Sequence, residues 1–394
     1  MQRLPSLREA SPAGKRAFVR VDFNVPLQDG QITDDRRIRA ALPTIQYLLE
    51  KGAAVLLCSH LGRPQEGQPD PKYSLAPVRT HLEKLLRQPV GWIPDPFHLQ
   101  PLRPGQVYLL ENIRFFRGES QNDPDFARAL AQWADLYVSD AFGSLHRAHA
   151  SVEALPRLMP QKYAGFLVEA EWDNAQRVLS AIERPYLVIV GGAKVSDKLP
   201  LLRHLLPRLD RLLIGGGMSY TFLHAQGLPI GKSLLEADQV EAARSILAQA
   251  AQEGKKVLLP IDSVCATEFS EKAAPRVFPH EPGAFPEGYL GLDIGPATIA
   301  AARAFIAGSR TILWNGPMGV FEWEAFRTGT VQVARAVAEE TQKGAYSLIG
   351  GGDTASAVEI AGLADQMSFL STGGGALLEL LAGQTLPGIA ALLS

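Results

Sequence analysis

Cysteine is almost missing from the chain: Cys58 and Cys265 are the only two in 394 residues. That excludes a disulfide scaffold. Both lie in apolar, strand-like runs suited to a small buried hydrophobe, and a reducing cytosol is the expected home. Long hydrophobic runs are lacking as well, since none approaches the ~18 residues of a membrane span. The opening MQRLPSLREASPAGKR has no apolar core of a secretory signal, so a soluble, cytoplasmic protein is expected. Net charge is small, with 39 basic against 41 acidic side chains, which leaves no global positive field for nucleic acid or an anionic membrane. No low-complexity tract or solenoid repeat is present.

What remains is a globular composition, 46 % hydrophobic and 20 % charged, long enough for two or three domains of roughly 100–200 residues. The charge is spread unevenly. Residues 1–165 hold 21 Lys and Arg against 17 Asp and Glu, and residues 166–394 hold 18 against 24, so the first part is the one suited to focusing a small anion.

Short apolar runs alternate with helical patterns, as in parallel sheets with crossover helices. Strands are expected at 17–23, 53–59, 107–112 and 135–140, then at 186–192, 211–217, 256–262, 311–316, 346–352 and 367–375. Helices are expected at 36–51, 236–253 and 328–343. The class is α/β, and two successive doubly wound units fit this count better than one oversized sheet. Helical spacing over 166–182 stops at Glu183-Arg184-Pro185 and predicts a connecting helix. With no Gly/Ser linker beside it, motion between the halves is expected to be a hinge.

Five expected strand ends in the second half run into glycine: VGGAK (190–194), IGGGM (214–218), WNGPMG (314–319), IGGGD (349–353) and STGGG (371–375). Any one of them is equally an ordinary tight turn. Repeated in one domain, they favour a phosphate-rich ligand at the carboxyl ends of the strands, where backbone N–H groups and helix N-termini approach oxygen. A P-loop does not fit, because Gly227 to Lys232 has three residues between its glycines where four are needed. Gly350 to Ala355 satisfies GxGxxG/A but lacks the expected acid about 20 residues on, which leaves nicotinamide binding as the alternative. Lys194 and Lys198, four apart after a Gly-Gly turn, are expected on one helix face, where they would suit a polyphosphate. Asp353 serves equally as a Mg²⁺ ligand or as a helix N-cap.

In the first half, Arg37, Arg63, Arg114 and Arg147, with His60 and His149, follow expected strand ends or helix starts. Each alone is a plausible surface charge; together they are expected to converge on a multi-anion site, because the guanidinium fork matches carboxylate and phosphate. His60, His146 and His149 have no Cys or acidic partner at metal spacing, so no transition-metal site is expected.

Nearly end to end and in order, the chain resembles the phosphoglycerate kinase family. The resemblance rests on RVDFNVP (20–26), the Arg-Ile of DDRRI, ALPTI (41–45), SHLGRP (59–64), ENIRF (111–115), DAFG with HRAH (140–149) and GGAKVSDK (191–198). It continues through GGGMSYTFL (215–223), LDIGPAT (292–298), WNGPMGVFE (314–322), GGGDTA (350–355), STGGGA (371–376) and the LPGIAAL after it. It implies two Rossmann-like domains joined by a helix and hinge. Residues 1–168, with about 382–394 returning to them, would bind 3-phosphoglycerate or 1,3-bisphosphoglycerate; 169–184 would connect; 185–381 would bind Mg·ATP or Mg·ADP. Asp22, Phe23, Asn24, Arg37, His60, Leu61, Gly62, Arg63, Arg114 and Arg147 would hold the glycerate. Lys198, Gly291, Glu322, Gly351, Gly352, Asp353 and Thr354 would hold the nucleotide, with Glu322 on the ribose and Asp353 on Mg²⁺. Arg37, Lys194 and backbone N–H groups near Gly352 and Gly374 would stabilise the phosphoryl group during direct in-line transfer under domain closure. The family also implies a monomer. Departures from its usual pattern are Ala297, Ala376 and Ser144-Leu145, and none touches the arginines or the two lysines. The alternatives are an NAD-dependent dehydrogenase and a non-catalytic binding protein on this fold.

Overall fold

Strands buried on both faces need no polar side, so near-continuous apolar runs pair in parallel with helices covering them. A computed structural model, which describes residues 3–394, shows this twice. The chain divides into one unit made of residues up to Asp173 together with Thr385–Ser394, and a second made of Asn174–Gln384.

The first unit holds β1 (Arg16–Val21), β2 (Leu27–Gln28), β3 (Gln31–Ile32), β4 (Ala54–Cys58), β5 (Val90–Ile93), β6 (Val107–Leu110), β7 (Leu136–Asp140) and β8 (Lys162–Ala164). Six make a parallel sheet in the order β5-β6-β4-β1-β7-β8, and β2 pairs β3 as a small antiparallel ribbon. Its helices are α1 (Arg36–Glu50), α2 (Ala76–Leu86), α3 (Pro124–Ala131) and α4 (Leu155–Leu158). Helix α1 buries Ile38, Ala41, Thr44, Ile45 and Leu48, a stripe at helical spacing that turns its N-terminal Arg37 outward. The C-terminal helix Pro387–Leu393 is fastened to the same unit, with Gly388 N donating to the Leu145 carbonyl at 3.0 Å.

The predicted connecting helix is α5 (Phe166–Leu179). Its first N–H groups are taken up by Thr44 Oγ1 and by the buried Asp140 carboxylate, each at 3.0 Å, which satisfies donors that a helix start leaves open. It ends short of residue 182 because the Gln176 carbonyl accepts from both Ser180 and Ala181, closing the last turn.

The second unit holds β9 (Tyr186–Val190), β10 (Arg211–Ile214), β11 (Lys256–Leu258), β12 (Asp262–Ala266), β13 (Arg276–Pro279), β14 (Leu290–Ile294), β15 (Thr311–Asn315), β16 (Tyr346–Gly350) and β17 (Phe369–Leu370). Its parallel sheet runs β11-β10-β9-β15-β16-β17, the doubly wound order that reverses direction between β9 and β15. Its helices are α6 (Leu199–Leu205), α7 (Ser219–Ala225), α8 (Val240–Gln252), α9 (Pro296–Ile306), α10 (Thr328–Gln342), α11 (Gly352–Ile360) and α12 (Gly374–Leu381).

Two expectations fail here. The run 256–262 is two strands, because Pro260 has no N–H to donate and ends β11. β12 then pairs antiparallel with β13 and β14, a third sheet that the pattern of short runs does not announce. The run 367–375 shrinks to β17, since its glycines belong to the start of α12.

The loops after β9, β10 and β15 are sewn together by backbone. Gly192 N donates to the Pro317 carbonyl at 3.0 Å, Gly216 N to Met318 at 3.1 Å, and Met218 N to Gly192 at 3.0 Å. Gly216 has φ +66° and a Cβ there would stand 2.5 Å from the Gly192 nitrogen. Gly216→Ala should therefore cost the second unit about 2 kcal/mol or more. Urea unfolding reads this directly, and an unchanged midpoint would refute so tight a contact.

Candidate functional site

The carboxyl ends of β1, β4, β6 and β7 gather the predicted basic residues of the first unit. Asp22, Phe23 and Asn24 follow β1, His60 to Arg63 follow β4, Arg114 sits in the turn after β6, and Arg147 lies in the loop after β7. Arg37, at the start of α1, donates to Asp22 Oδ2 at 2.7 Å. Asn24 Oδ1 accepts from Gly62 N at 2.8 Å, and Arg114 Nη1 donates to the Gly62 carbonyl at 2.6 Å. Gly62 has φ +60° and faces the Tyr73 ring so closely that a Cβ would overlap it. Phe23 N bonds Ser59 Oγ at 2.8 Å, and Asn112 brackets Leu61 by accepting from its N–H and donating to its carbonyl.

These groups feel one another. Burial, then the charges of Arg20, Arg114, Arg37 and Arg147, hold His60 well below the usual histidine range. Burial, with Arg20 and Arg147 next, brings Arg114 down to about 10. His149 is pushed down to about 4 by burial and by Arg114, Arg20 and Arg147. Arg37, Arg114 and Arg147 all act on His60, Arg114 and Arg147 act on His149, and Arg63 acts on Arg114, so these groups share one neighbourhood.

Sequence reasoning passed over the residue on which this cluster rests. Arg20, on β1, is buried. Its Nε donates to Ser151 Oγ at 2.8 Å, its Nη1 to the Val21 carbonyl at 2.5 Å, and its Nη2 meets His60 Nδ1 at 3.2 Å. Ser151 donates onward to the fully buried Glu119, from Oγ at 2.6 Å and from N at 2.9 Å. Burial raises the Glu119 carboxyl while Arg20 and Ser151 oppose that rise. The signal was present: an arginine inside an otherwise apolar strand must have partners, because a buried charge without them is too costly.

In the second unit, Lys198 Nζ bonds Asn315 Oδ1 at the end of β15, and Asn315 Nδ2 donates to the Gly350 carbonyl at 2.9 Å. Burial lowers the Lys198 ammonium, opposed by Asp197 and Asp353, which places Asp353 in its neighbourhood. Thr354 Oγ1 accepts from Gly316 N at 2.7 Å. Gly351 N-caps α11 with φ +92°, and Gly352 and Gly374 open α11 and α12. At Gly352 and Gly374 nothing lies within 4 Å of where a Cβ would stand. The glycines therefore separate into those that let loops touch, after β9, β10 and β15, and those that leave helix N-termini bare.

Gly291 lies on β14, where its N–H donates to Ser233 Oγ at 2.9 Å and a Cβ would overlap the Tyr220 hydroxyl. Glu322 is exposed in the loop after β15, which is tied to β14 by Val320 N donating to the Leu292 carbonyl at 2.8 Å.

Lys194 and Lys198 do not share a helix face. Leu199 begins α6, with Pro200 in its first turn, so Lys198 is the N-cap and Lys194 lies exposed in the loop before it. Asp353 is not an N-cap either: Gly351 is, and Asp353 presents an exposed carboxylate in the first turn. Among the described residues no group of three or more His, Cys, Asp or Glu could hold a metal, and no helix is long and apolar enough to cross a membrane. At Ala297, where the family often has lysine, the backbone N–H donates to Asp262 Oδ2 at 3.0 Å, so the start of α9 is held without any side chain at 297.

Comparison with known proteins agrees with this geometry. The family model described as phosphoglycerate kinase matches residues 7–384. A phosphoglycerate kinase of Chloroflexus aurantiacus is 52% identical over 98% of each chain, and one of Triticum aestivum, described as cytosolic, is 50% identical over 98% of this chain and 97% of its own. The solved phosphoglycerate kinase of Coxiella burnetii superposes with a TM-score of 0.94 at 43% identity, covering 99% of both chains.

The two depressed histidines set an acid limit. Folded, His60 and His149 stay neutral where a free histidine, near 6.5, takes up a proton. Their stabilisation is present above that value and is lost as pH falls from about 6.5 toward 4. His149→Gln should flatten the fall in melting temperature across that window, and a slope equal to the parent's would contradict a neutral buried His149.

Proposed function

The chain belongs to the phosphoglycerate kinase family and is thus a glycolytic kinase, and we propose how its two units divide the work. A phosphoryl group passes reversibly between 1,3-bisphosphoglycerate and ADP, giving 3-phosphoglycerate and ATP. The glycerate, a phosphate and a carboxyl group on a small frame, occupies the basic cluster of the first unit. Arg37, Arg63, Arg114, Arg147, His60, Asp22 and Asn24 hold it, with the backbone of Phe23, Leu61 and Gly62 shaping the floor. One observation carries this reading: among the described residues Arg63, Arg114 and Arg147 have no ion-pair partner, so three guanidinium groups stand ready for an anionic ligand.

The nucleotide goes to the second unit, in line with the family's use of one. Lys198, Gly351, Gly352, Asp353 and Thr354 receive its phosphates, and Gly291 and Glu322 receive the nucleoside, with Glu322 on the ribose. Mg²⁺ enters with the nucleotide as part of that substrate and offsets phosphate charge. The exposed Asp353 carboxylate, beside the open Gly352, is the hard oxygen donor such an ion takes when phosphates supply the rest.

No general base is required, because the attacking carboxylate is already ionised; alignment and charge stabilisation suffice. Arg37, Lys194 and the N–H groups at the starts of α11 and α12 supply that stabilisation, their helix N-termini carrying partial positive charge. Closure about the α5 connection is assigned the task of joining the ligands and excluding water. Family membership gives no support to the nicotinamide reading of Gly350 to Ala355. The two buried, unbridged cysteines fit a cytoplasmic home, and we take the working form to be a monomer.

A coupled assay of ATP-dependent phosphorylation of 3-phosphoglycerate tests the whole: turnover should require Mg²⁺ and stop with EDTA, and metal-independent turnover would sink the phosphate arrangement. Arg37→Ala should lower kcat on the order of 10²-fold with little change in melting temperature. Lys198→Ala should raise the nucleotide KM and leave that for 3-phosphoglycerate alone; the opposite pattern would reverse the assignment of the units.

A further inference from the structure

The hydrogen bond between Arg20 and His60 decides more than packing. A guanidinium has five donors and no acceptor, so the ring nitrogen that meets it must carry a lone pair. Arg20 Nη2 meets His60 Nδ1 at 3.2 Å, and Nε2 therefore bears the ring proton. A cationic ring would turn N–H against N–H and is excluded by the same contact. Nε2 itself has no hydrogen-bond partner among the described residues. We infer that Arg20 is a positioning residue that locks His60 as the neutral Nε2–H tautomer, so that His60 meets the anionic glycerate as a hydrogen-bond donor, neither a base nor a cation. This rests on the placement of the glycerate proposed above.

The lock is itself held. Arg20 cannot swing away, because Nε is tied to Ser151, Nη1 to the Val21 carbonyl, and Ser151 to Glu119. Every charge that faces His60 acts in the same direction: Arg20 from β1, Arg37 from α1, Arg114 after β6 and Arg147 after β7 are all cations that oppose a proton on the ring. Glu119, the buried carboxylate of the network, bonds Ser151 and stands 3.9 Å from His149 Nδ1. A neutral donor is useful here, because three unpaired arginines already supply charge; what a small ligand bearing both phosphate and carboxylate lacks is a directional contact.

Imidazole nitrogen NMR on histidine-labelled full-length protein tests this. The His60 signals should show Nδ1 unprotonated and Nε2 protonated between about pH 5.5 and 8 without titrating, and Nε2 should shift when 3-phosphoglycerate is added. In the paired variant Arg20→Met with Glu119→Gln, which removes both buried charges together, the tautomers should mix. The KM for 3-phosphoglycerate should then rise roughly 3- to 10-fold, the value of one hydrogen bond, with kcat and the nucleotide KM nearly unchanged. A protonated Nδ1 in the parent overturns the proposal even if the variant does not fold. So does a variant that keeps both tautomer and KM. A correct tautomer with no response to 3-phosphoglycerate overturns it differently, by showing that the glycerate site itself is misplaced.

Discussion

Gathering like charges before their ligand arrives is the constraint on which the first unit is built. Five arginines approach one another at the carboxyl edge of its sheet, and each raises the cost of the next. The fold manages this by dividing them. Arg20 is taken inside and neutralised by the Glu119–Ser151 pair, Arg37 is paired with Asp22, and Arg63, Arg114 and Arg147 are left for a ligand. The histidines among them stay neutral, since a further cation would be the least stable addition. On the proposed assignment, the repulsion gathered in this cluster is offset when a doubly anionic substrate binds, which would favour such substrates.

On the proposed assignment, the second unit would meet phosphate by other means: helix starts and two lysines in place of an arginine cluster, as suits a ligand whose own metal carries much of the charge. Asn315 is the joint of that arrangement: one amide group holds the Lys198 ammonium and the Gly350 carbonyl together, so the loops after β15 and β16 and the start of α6 share a single reference point. The backbone bonds among Gly192, Gly216, Pro317 and Met318 stiffen the neighbouring loops. Loops joined in this way do not move separately, which is what the proposed phosphate site requires.

Much of this was legible in the primary structure. Uninterrupted buried runs announced both parallel sheets, and β4, β7, β9, β15 and β16 lie within the expected stretches because burial on both faces demands that pattern. The basic residues were legible because each follows a strand end or opens a helix. Less so was the antiparallel sheet of β12, β13 and β14, whose partners come from separate segments and whose mixed burial carries no strong periodicity. Lys194 and Lys198 were misplaced on one helix because spacing alone does not reveal that α6 starts only at Leu199. Glycine was ambiguous throughout, since the same residue stands open at a helix start at Gly352 and against a neighbouring backbone at Gly216.

Composition and local pattern by themselves determined the α/β class, the two doubly wound units and the connecting helix, because these depend on how often apolar residues recur and where their runs stop. Only the tertiary structure decided which charges are paired and which are left open. It is distance and burial that distinguish Arg20 from Arg114, or Gly216 from Gly352, and neither quantity is a property of a residue's neighbours along the chain.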